Sequence, residues 1–180
     1  MIIKEFDLPG LKLFTLNRFG DDRGFFVESW NQQRFADTGF AEAFVQDNHS
    51  RSAKGVLRGL HYQLQNPQGK LVRVTRGRAF DAVVDLRRSS PTFGRWQGVM
   101  LSEDEPTLLW VPPGFAHGFV ALEDRTEFQY KVTTSYDPSD EHSLLWNDPE
   151  IGIEWPLDGP PSLSAKDAAG VPLAQAATYA

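Results

Sequence analysis

The sequence predicts an all-β fold, an antiparallel sandwich or barrel. Three observations carry this: short strand-like runs recur at near-regular spacing, recognised turn chemistry separates them, and no helices alternate with them. A length of 180 residues suits one domain. With 13 Phe, 5 Trp and 4 Tyr the chain has ample apolar material for a core, which excludes bulk disorder.

The elements follow in order. Asp21-Asp22-Arg23-Gly24 is a turn, and the aromatic run 25–30 after it reads as a strand. The one helix signal lies between Trp30 and Phe44, where Asn31 can cap, Phe35 begins a short amphipathic turn and Gly39 ends it. Runs 71–76, 79–86 and 126–133 mix β-branched and aromatic residues with charge, as half-buried strands do. Gly77, Ser89-Ser90-Pro91, Pro112-Pro113-Gly114 and Asp137-Pro138-Ser139-Asp140 are the joints. From Asp158 the composition shifts to Pro, Ala, Ser and Gly. That predicts a packed-down arm with a short helix and then a loose end, so residues 1–170 form one domain and 171–180 a C-terminal tail.

Cysteine is absent, which excludes disulfides, thiolate metal sites and cysteine nucleophiles. Acids interrupt the opening Met1-Ile2-Ile3-Lys4-Glu5-Phe6-Asp7 where a signal peptide needs an apolar core, and no apolar run could span a bilayer. A cytoplasmic, water-soluble domain with no membrane partner is the expectation. The net charge of −6 argues against a nucleic-acid binder. Yet seven basic residues and no acid lie between Arg51 and Arg78: Arg51, Lys54, Arg58, Lys70, Arg73, Arg76 and Arg78. Each taken alone reads as a solvated charge or the partner of a distant carboxylate. The cluster as a whole reads as an anion site, and a small phosphorylated ligand fits it better than a polynucleotide.

The histidines are His49, His61, His117 and His142. His49 and His142 sit among polar residues and read as surface or turn positions. His117 follows Pro112-Pro113-Gly114-Phe115-Ala116, a turn that resembles the second motif of cupins, the small jelly-roll barrels in which it delivers a histidine inward. The first cupin motif pairs two histidines with a downstream Glu. Here Gln63 stands two positions after His61, and downstream of it no Glu occurs until Glu103. Two histidines without a nearby carboxylate make a poor transition-metal site. The chain therefore resembles a cupin-like jelly-roll barrel, with a few short helices and a C-terminal arm, used without its metal. An imidazole in such a barrel suits acid–base work if a carboxylate fixes its tautomer. Periodicity does not bring Arg58 beside His61, because residues three apart in a strand point to opposite faces unless a bulge intervenes. Tyr130, beside Phe128 and Val132 in an alternating run, reads by itself as core packing, and Asp167 as the cap of a C-terminal turn.

Six blocks, in order, carry a closer resemblance: Asp22-Arg23-Gly24-Phe25-Phe26, Gln46-Asp47-Asn48-His49-Ser50, Val56-Leu57-Arg58-Gly59-Leu60-His61-Tyr62-Gln63, Gln68-Gly69-Lys70-Leu71-Val72, Pro112 through Phe119, and Leu163-Ser164-Ala165-Lys166-Asp167. They resemble the dTDP-4-dehydrorhamnose 3,5-epimerase family from about Phe6 to Asp167. That family inverts two carbons of a dTDP-linked 4-keto-6-deoxyhexose. The resemblance implies His61 as general base, Asp167 as its orienting partner, Tyr130 as the acid on the other face of the sugar, and Lys70 as the cation that stabilises the enolate oxygen. It implies Arg23, Glu28, Gln46, Asn48, Arg58, His117, Glu141 and Lys166 as holders of the nucleotide sugar, and Tyr136 as the ring stacking on thymine. It further implies no cofactor, and a homodimer whose N-terminal strand crosses over so that Arg23 and Glu28 reach the partner's site. Three alternatives remain: an epimerase acting at C3 or C5 only, a metal-dependent cupin enzyme, and a sugar-nucleotide binding module without catalysis.

Overall fold

The computed structural model describes all 180 residues. The strands are β1 (Ile2–Glu5), β2 (Lys12–Thr15), β3 (Arg18–Asp21), β4 (Gly24–Val27), β5 (Gln46–Ser52), β6 (Leu57–Gln63), β7 (Lys70–Arg76), β8 (Arg78–Asp85), β9 (Trp96–Ser102), β10 (Thr107–Val111), β11 (Phe115–Ala121), β12 (Thr126–Val132) and β13 (Glu141–Ser143). Two short helices, α1 (Gln32–Ala36) and α2 (Ala165–Ala168), and a 3-10 turn at Leu173–Gln175 complete it. Every ladder between strands is antiparallel. A six-stranded sheet runs β1-β2-β10-β7-β12-β5, and a five-stranded sheet runs β13-β6-β11-β8-β9. The architecture is the expected cupin-like jelly roll, but it is built as two facing sheets rather than one closed barrel. No helix is long and apolar enough to cross a membrane.

The alternation in the strands is what makes the two sheets face each other. Val72 and Val74 of β7, Leu109 and Val111 of β10 and Phe128 of β12 meet Val83 of β8, Val99 and Leu101 of β9, and Phe115 and Phe119 of β11 in the main core. At about 1.5–3 kcal/mol for each fully buried large apolar side chain, this layer is the chief force closing the sandwich. Each outer face is covered as well. Phe35 and Phe40, with Trp30 and Phe44 against them, pack on Phe14, Leu71, Leu108 and Trp110 outside the six-stranded sheet. The helix there is one short turn, capped by the Asn31 side chain on the Arg34 N–H, and Gly39 at φ 86° stops it. The run expected as a strand through residue 30 ends at Val27, because Trp30 turns inward onto Phe35 at 4.5 Å between ring centroids.

The C-terminal segment is not loose. Leu173 and Ala176 are buried against Leu60, Tyr62, Val84 and Leu86 outside the five-stranded sheet. The Tyr179 N–H donates to Leu86 O at 3.1 Å, the Arg88 N–H donates to Tyr179 O at 3.0 Å, and the Tyr179 hydroxyl donates to Gln63 O at 2.6 Å. With core on one side and this arm on the other, β11 is buried at all seven positions. A Pro- and Ala-rich composition reads as a loose tail, yet a few apolar side chains and these hydrogen bonds suffice to tie it down.

Candidate active site

Between the sheets lies a cavity of about 410 Å³. Eleven of the thirteen predicted site residues line it: His61, Lys70, Tyr130 and Asp167, together with Gln46, Asn48, Arg58, His117, Tyr136, Glu141 and Lys166. The other two do not. Arg23 lies in the exposed β3–β4 hairpin, where it pairs with Asp21 at 2.5 Å, and Glu28 pairs with Arg34 at 3.2 Å.

A bulge solves the Arg58–His61 problem. His61 stands opposite His117 and Arg58 opposite Phe119, so Gly59 and Leu60 on β6 face only Gly118 on β11. The extra residue resets the alternation, and both side chains turn into the cavity. Glycine is required at this crossing. Gly59 has φ 122°, and a Cβ there would lie 2.5 Å from the Gly118 Cα.

The residues predicted to be catalytic come from opposite walls. His61 is on β6 of the five-stranded sheet, whereas Lys70 on β7 and Tyr130 on β12 belong to the six-stranded one. Asp167, 3% exposed, reaches in from α2. Its Oδ1 lies 2.6 Å from His61 Nε2 and accepts the Gly59 N–H at 3.2 Å, while its Oδ2 accepts the Ser164 hydroxyl at 2.6 Å. Burial opposes the Asp167 charge, but the bonds from His61, Ser164 and Gly59 outweigh it and hold the carboxyl well below the usual range. An ionised carboxylate only accepts, so His61 Nε2 carries a hydrogen, and Nδ1 lies on the other side of the ring. Ser164, and not Asp167, caps α2.

Burial pulls the Lys70 ammonium down to about 8, against the charges of Glu141 and Asp81, which raise it. Lys70 Nζ donates to the His61 carbonyl at 3.3 Å. Burial and then the Glu141 charge push the Tyr130 phenol up, with Arg58 opposing. Tyr130 therefore keeps its proton at neutral pH. Glu141 accepts the Tyr136 hydroxyl at 2.8 Å and Lys166 Nζ at 2.7 Å through Oε2, and its Oε1 lies 3.8 Å from His61 Nδ1. Arg58 Nε donates to Ser52 Oγ at 3.0 Å, and Gln46 Nε2 to Asn48 Oδ1 at 2.8 Å.

The basic segment divides. Arg51, Lys54 and Arg78 meet Glu127, Asp158 and Glu123, as ordinary ion pairs do. Only Arg58 and Lys70 of the seven line the cavity. His49 is beside Glu127 at 3.3 Å, and His142 stacks on Tyr62 at 5.2 Å between centroids. No three His, Asp or Glu side chains gather as a metal-ligand set.

Six lining residues were not predicted as part of the site, Gln68 and Gly118 among them. Ser50 extends the inward alternation of Gln46 and Asn48 along β5, a pattern visible in the sequence. Ser164, three residues before Asp167, is a Ser-x-x-acid cap signature. Phe119 and Phe128 stack at 4.0 Å in the cavity wall, and nothing in the sequence distinguishes them from other core aromatics.

The family model described as dTDP-4-dehydrorhamnose 3,5-epimerase matches residues 5–175. A protein of that name from Pseudomonas aeruginosa is 55% identical over 94% of each chain. One from Salmonella typhimurium is 55% identical over 98% of this chain and 97% of its own. A crystal structure of dTDP-6-deoxy-D-glucose-3,5-epimerase from Legionella pneumophila, in complex with dTDP-4-keto-L-rhamnose, superposes with a TM-score of 0.94 at 48% identity, over 97% of this chain and 93% of its own. Fold and sequence agree over nearly the whole length, and the chain belongs to the dTDP-4-dehydrorhamnose 3,5-epimerase family.

Proposed function

We propose that the protein inverts C3 and C5 of dTDP-4-dehydro-6-deoxy-D-glucose to give dTDP-4-dehydro-L-rhamnose. The single observation that carries the reading is that an imidazole tied through Nε2 to a carboxylate and a protonated phenol approach one cavity from opposite sheets. Inversion demands this arrangement, because the proton must leave one face of the ring and return to the other.

In each inversion His61 Nδ1 takes the proton from the carbon beside the C4 ketone. The electron pair of the broken C–H bond moves into an enolate, and its oxygen gathers negative charge beside the Lys70 ammonium. A buried cation stabilises that oxygen far better than one in bulk water. Tyr130 then gives its hydroxyl proton to the opposite face of the carbon, and the C4 carbonyl reforms. Proton exchange returns His61 and Tyr130 to their starting states, with no net oxidation. Both inverted carbons flank the same ketone, so one acid–base pair serves both. Arg58, His117 and Lys166 supply donors for the pyrophosphate, and Tyr136, 47% exposed at the cavity mouth, supplies a ring for thymine.

The active unit in this reading is a homodimer. Phe19, Phe25 and Phe26 are 62–66% exposed on the β3–β4 hairpin, which also carries Arg23 and stands away from its own cavity. Strand β5, which lines the cavity with Gln46 and Asn48, is a sheet edge against which a partner's hairpin can lie. The reading takes the catalyst to be cytoplasmic and to work without a metal.

The test is incubation with the 4-keto sugar nucleotide in deuterated water, with and without a chelator, followed by NMR location of the label. Deuterium at both C3 and C5, indifferent to chelator, supports the proposal. Label at one carbon favours a single-carbon epimerase. Absence of exchange reduces the protein to a binding module, and loss with chelator points to a metal enzyme.

A further inference from the structure

Two loops form a rim of the cavity, residues 64–69 between β6 and β7 and residues 133–140 between β12 and β13. The first supplies Gln68 to the lining, and the second supplies Tyr136 and leads directly into Glu141. Neither contains a helix or strand, and Tyr136 is too exposed for burial to hold its ring in place. What holds the loops is an exchange of side-chain hydrogen bonds between them. Asp140, itself buried, reaches across to the first loop. Its Oδ1 accepts the Leu64 and Gln65 N–H groups at 3.1 and 2.9 Å, and its Oδ2 accepts the Gln65 and Asn66 N–H groups at 2.9 and 2.7 Å. Gln63, buried at the end of β6, reaches the other way. Its Oε1 accepts the Asp137 N–H at 2.9 Å, and its Nε2 donates to Ser135 O at 3.4 Å and to Asn66 O at 2.8 Å. Tyr136 lies between the two residues that Gln63 grips, and its own N–H donates to Gln46 Oε1 at 3.0 Å.

We propose that Asp140 and Gln63 are positioning residues of this site: together they lock the two rim loops, so that Tyr136 and Glu141 stand at the cavity before any ligand enters. Asp140 is suited to the task by its charge. Burial opposes that charge, but the Gln65, Asn66 and Leu64 amides hold the carboxyl below its usual range. Two oxygens that only accept can take three successive amides, which an asparagine, with one oxygen and one NH2, cannot. A turn that needed only to close could bond within itself, as Asp137 does with Ser139. Asp140 and Gln63 instead bond from one loop to the other, and two more bonds extend the seam: Gln68 Nε2 donates to Thr134 O at 2.7 Å, and the Gly69 N–H to Thr133 Oγ1 at 2.9 Å. His61, Lys70 and Tyr130 are strand residues and Asp167 belongs to α2, so none of the four sits in either loop. The pair therefore acts on binding, because a rim fixed in advance has less freedom to lose when a ligand arrives. This inference rests on the nucleotide-sugar reading for the identity of the ligand. The locking of the loops can be read on the ligand-free protein.

The decisive variant is Asp140→Asn, which keeps the shape of the side chain and sets an NH2 against amide donors. Amide hydrogen exchange followed by NMR, with no ligand present, reads the loops directly. Leu64, Gln65 and Asn66 lose their own acceptor, so faster exchange there follows on any account. The telling amides are those of Tyr136 and Asp137, whose acceptors Gln46 and Gln63 the substitution leaves in place. They should exchange about tenfold faster in the variant. Calorimetric titration with dTDP alone should give a Kd about tenfold higher. With the 4-keto sugar nucleotide, KM should rise by a similar factor while kcat stays within about threefold of wild type. Unmoved exchange at Tyr136 and Asp137, or unchanged dTDP affinity, in a folded variant overturns the proposal, as does a loss confined to kcat. Should Asp140→Asn fail to fold, Gln63→Met opens the seam from the other side with little change of volume. Weaker dTDP binding by about tenfold in that variant supports the proposal, and unchanged affinity overturns it. If the Tyr136 and Asp137 amides lose protection while the wild-type protein binds no dTDP, the locking of the rim stands and the nucleotide-sugar reading falls.

Discussion

Replacing Asp167 by Asn isolates the charge behind His61. The substitution leaves the orientation of the group decided by its neighbours. Oδ1 of Asp167 faces two donors, His61 Nε2 at 2.6 Å and the Gly59 N–H at 3.2 Å, while Oδ2 faces the Ser164 hydroxyl, which can accept as well as donate. An asparagine therefore turns its oxygen toward His61 and its NH2 toward Ser164, since the reverse sets two donors against each other. The His61 tautomer survives, and the lost quantity is the attraction between a carboxylate and the imidazolium formed as the carbon is deprotonated. Two charges about 4 Å apart at an effective dielectric near 20 interact by about 4 kcal/mol. Allowing for the hydrogen bond that Asn retains, about 3–4 kcal/mol is lost from the transition state, or about 10²–10³ in kcat. The assay is turnover of the keto sugar nucleotide together with solvent deuterium uptake, with circular dichroism to verify the fold. Both rates should fall together and KM should move little. A folded Asp167→Asn protein within fivefold of wild-type kcat would refute the dyad as the source of basicity. A loss confined to KM would assign Asp167 to binding instead.

Three further perturbations test other parts of the reasoning. Lys70 sits at about 8 against an ordinary 10.5 because burial penalises its charge, so kcat/KM should hold below about pH 8 and fall as pH rises through it, and Lys70→Arg should keep reduced activity without that limb. Stability moves the other way: the penalty for charging Lys70 is carried below about pH 8 and relieved between about 8 and 10.5, so denaturant midpoints should rise slightly across that window unless other groups offset it. Ser164→Ala removes the α2 cap and one Asp167 bond; calorimetry should give a Tm lower by about 2–4 °C for about 1 kcal/mol, and kcat should fall about fivefold. Phe25→Ser with Phe26→Ser should turn a dimer into a monomer in sedimentation and cut kcat/KM by about tenfold or more through withdrawal of Arg23; a persisting dimer refutes the hairpin as the exchanged element.

The strands and turns were legible because their signals are local. Gly77, which adopts φ 72° between β7 and β8, and the turn after Val111 mark joints by backbone chemistry alone. What covers each sheet was not legible. The aromatic segment after Trp30 and the arm ending at Tyr179 lack periodicity, and they are held by contacts with residues far away in the chain, such as Trp110 and Leu86. Composition alone made the end of the arm look unattached, because Leu173, Ala176 and Tyr179 are too few to form a pattern and enough to make contact.

The site failed to emerge from periodicity for a related reason. Counting by twos from His61 along β6 puts Arg58 on the wrong face, and only the unequal pairing of Gly59-Leu60 with Gly118 corrects the count. That correction belongs to two strands at once, so neither segment announces it alone. The same holds for Asp167 and Asp81. Each is an isolated acid in its own segment, a turn residue in one case and an interruption of an apolar strand in the other. Each acquires chemical meaning from a histidine 106 or 36 positions away. A buried carboxylate is tolerated only where a partner answers it. An acid in an otherwise apolar run is therefore a sequence-level sign that some distant donor must lie beside it. By that criterion Asp81, flanked by Phe80 and Ala82, demands a partner of the kind His117 supplies, whereas Asp167, in a polar segment where acids cost nothing, makes no such demand.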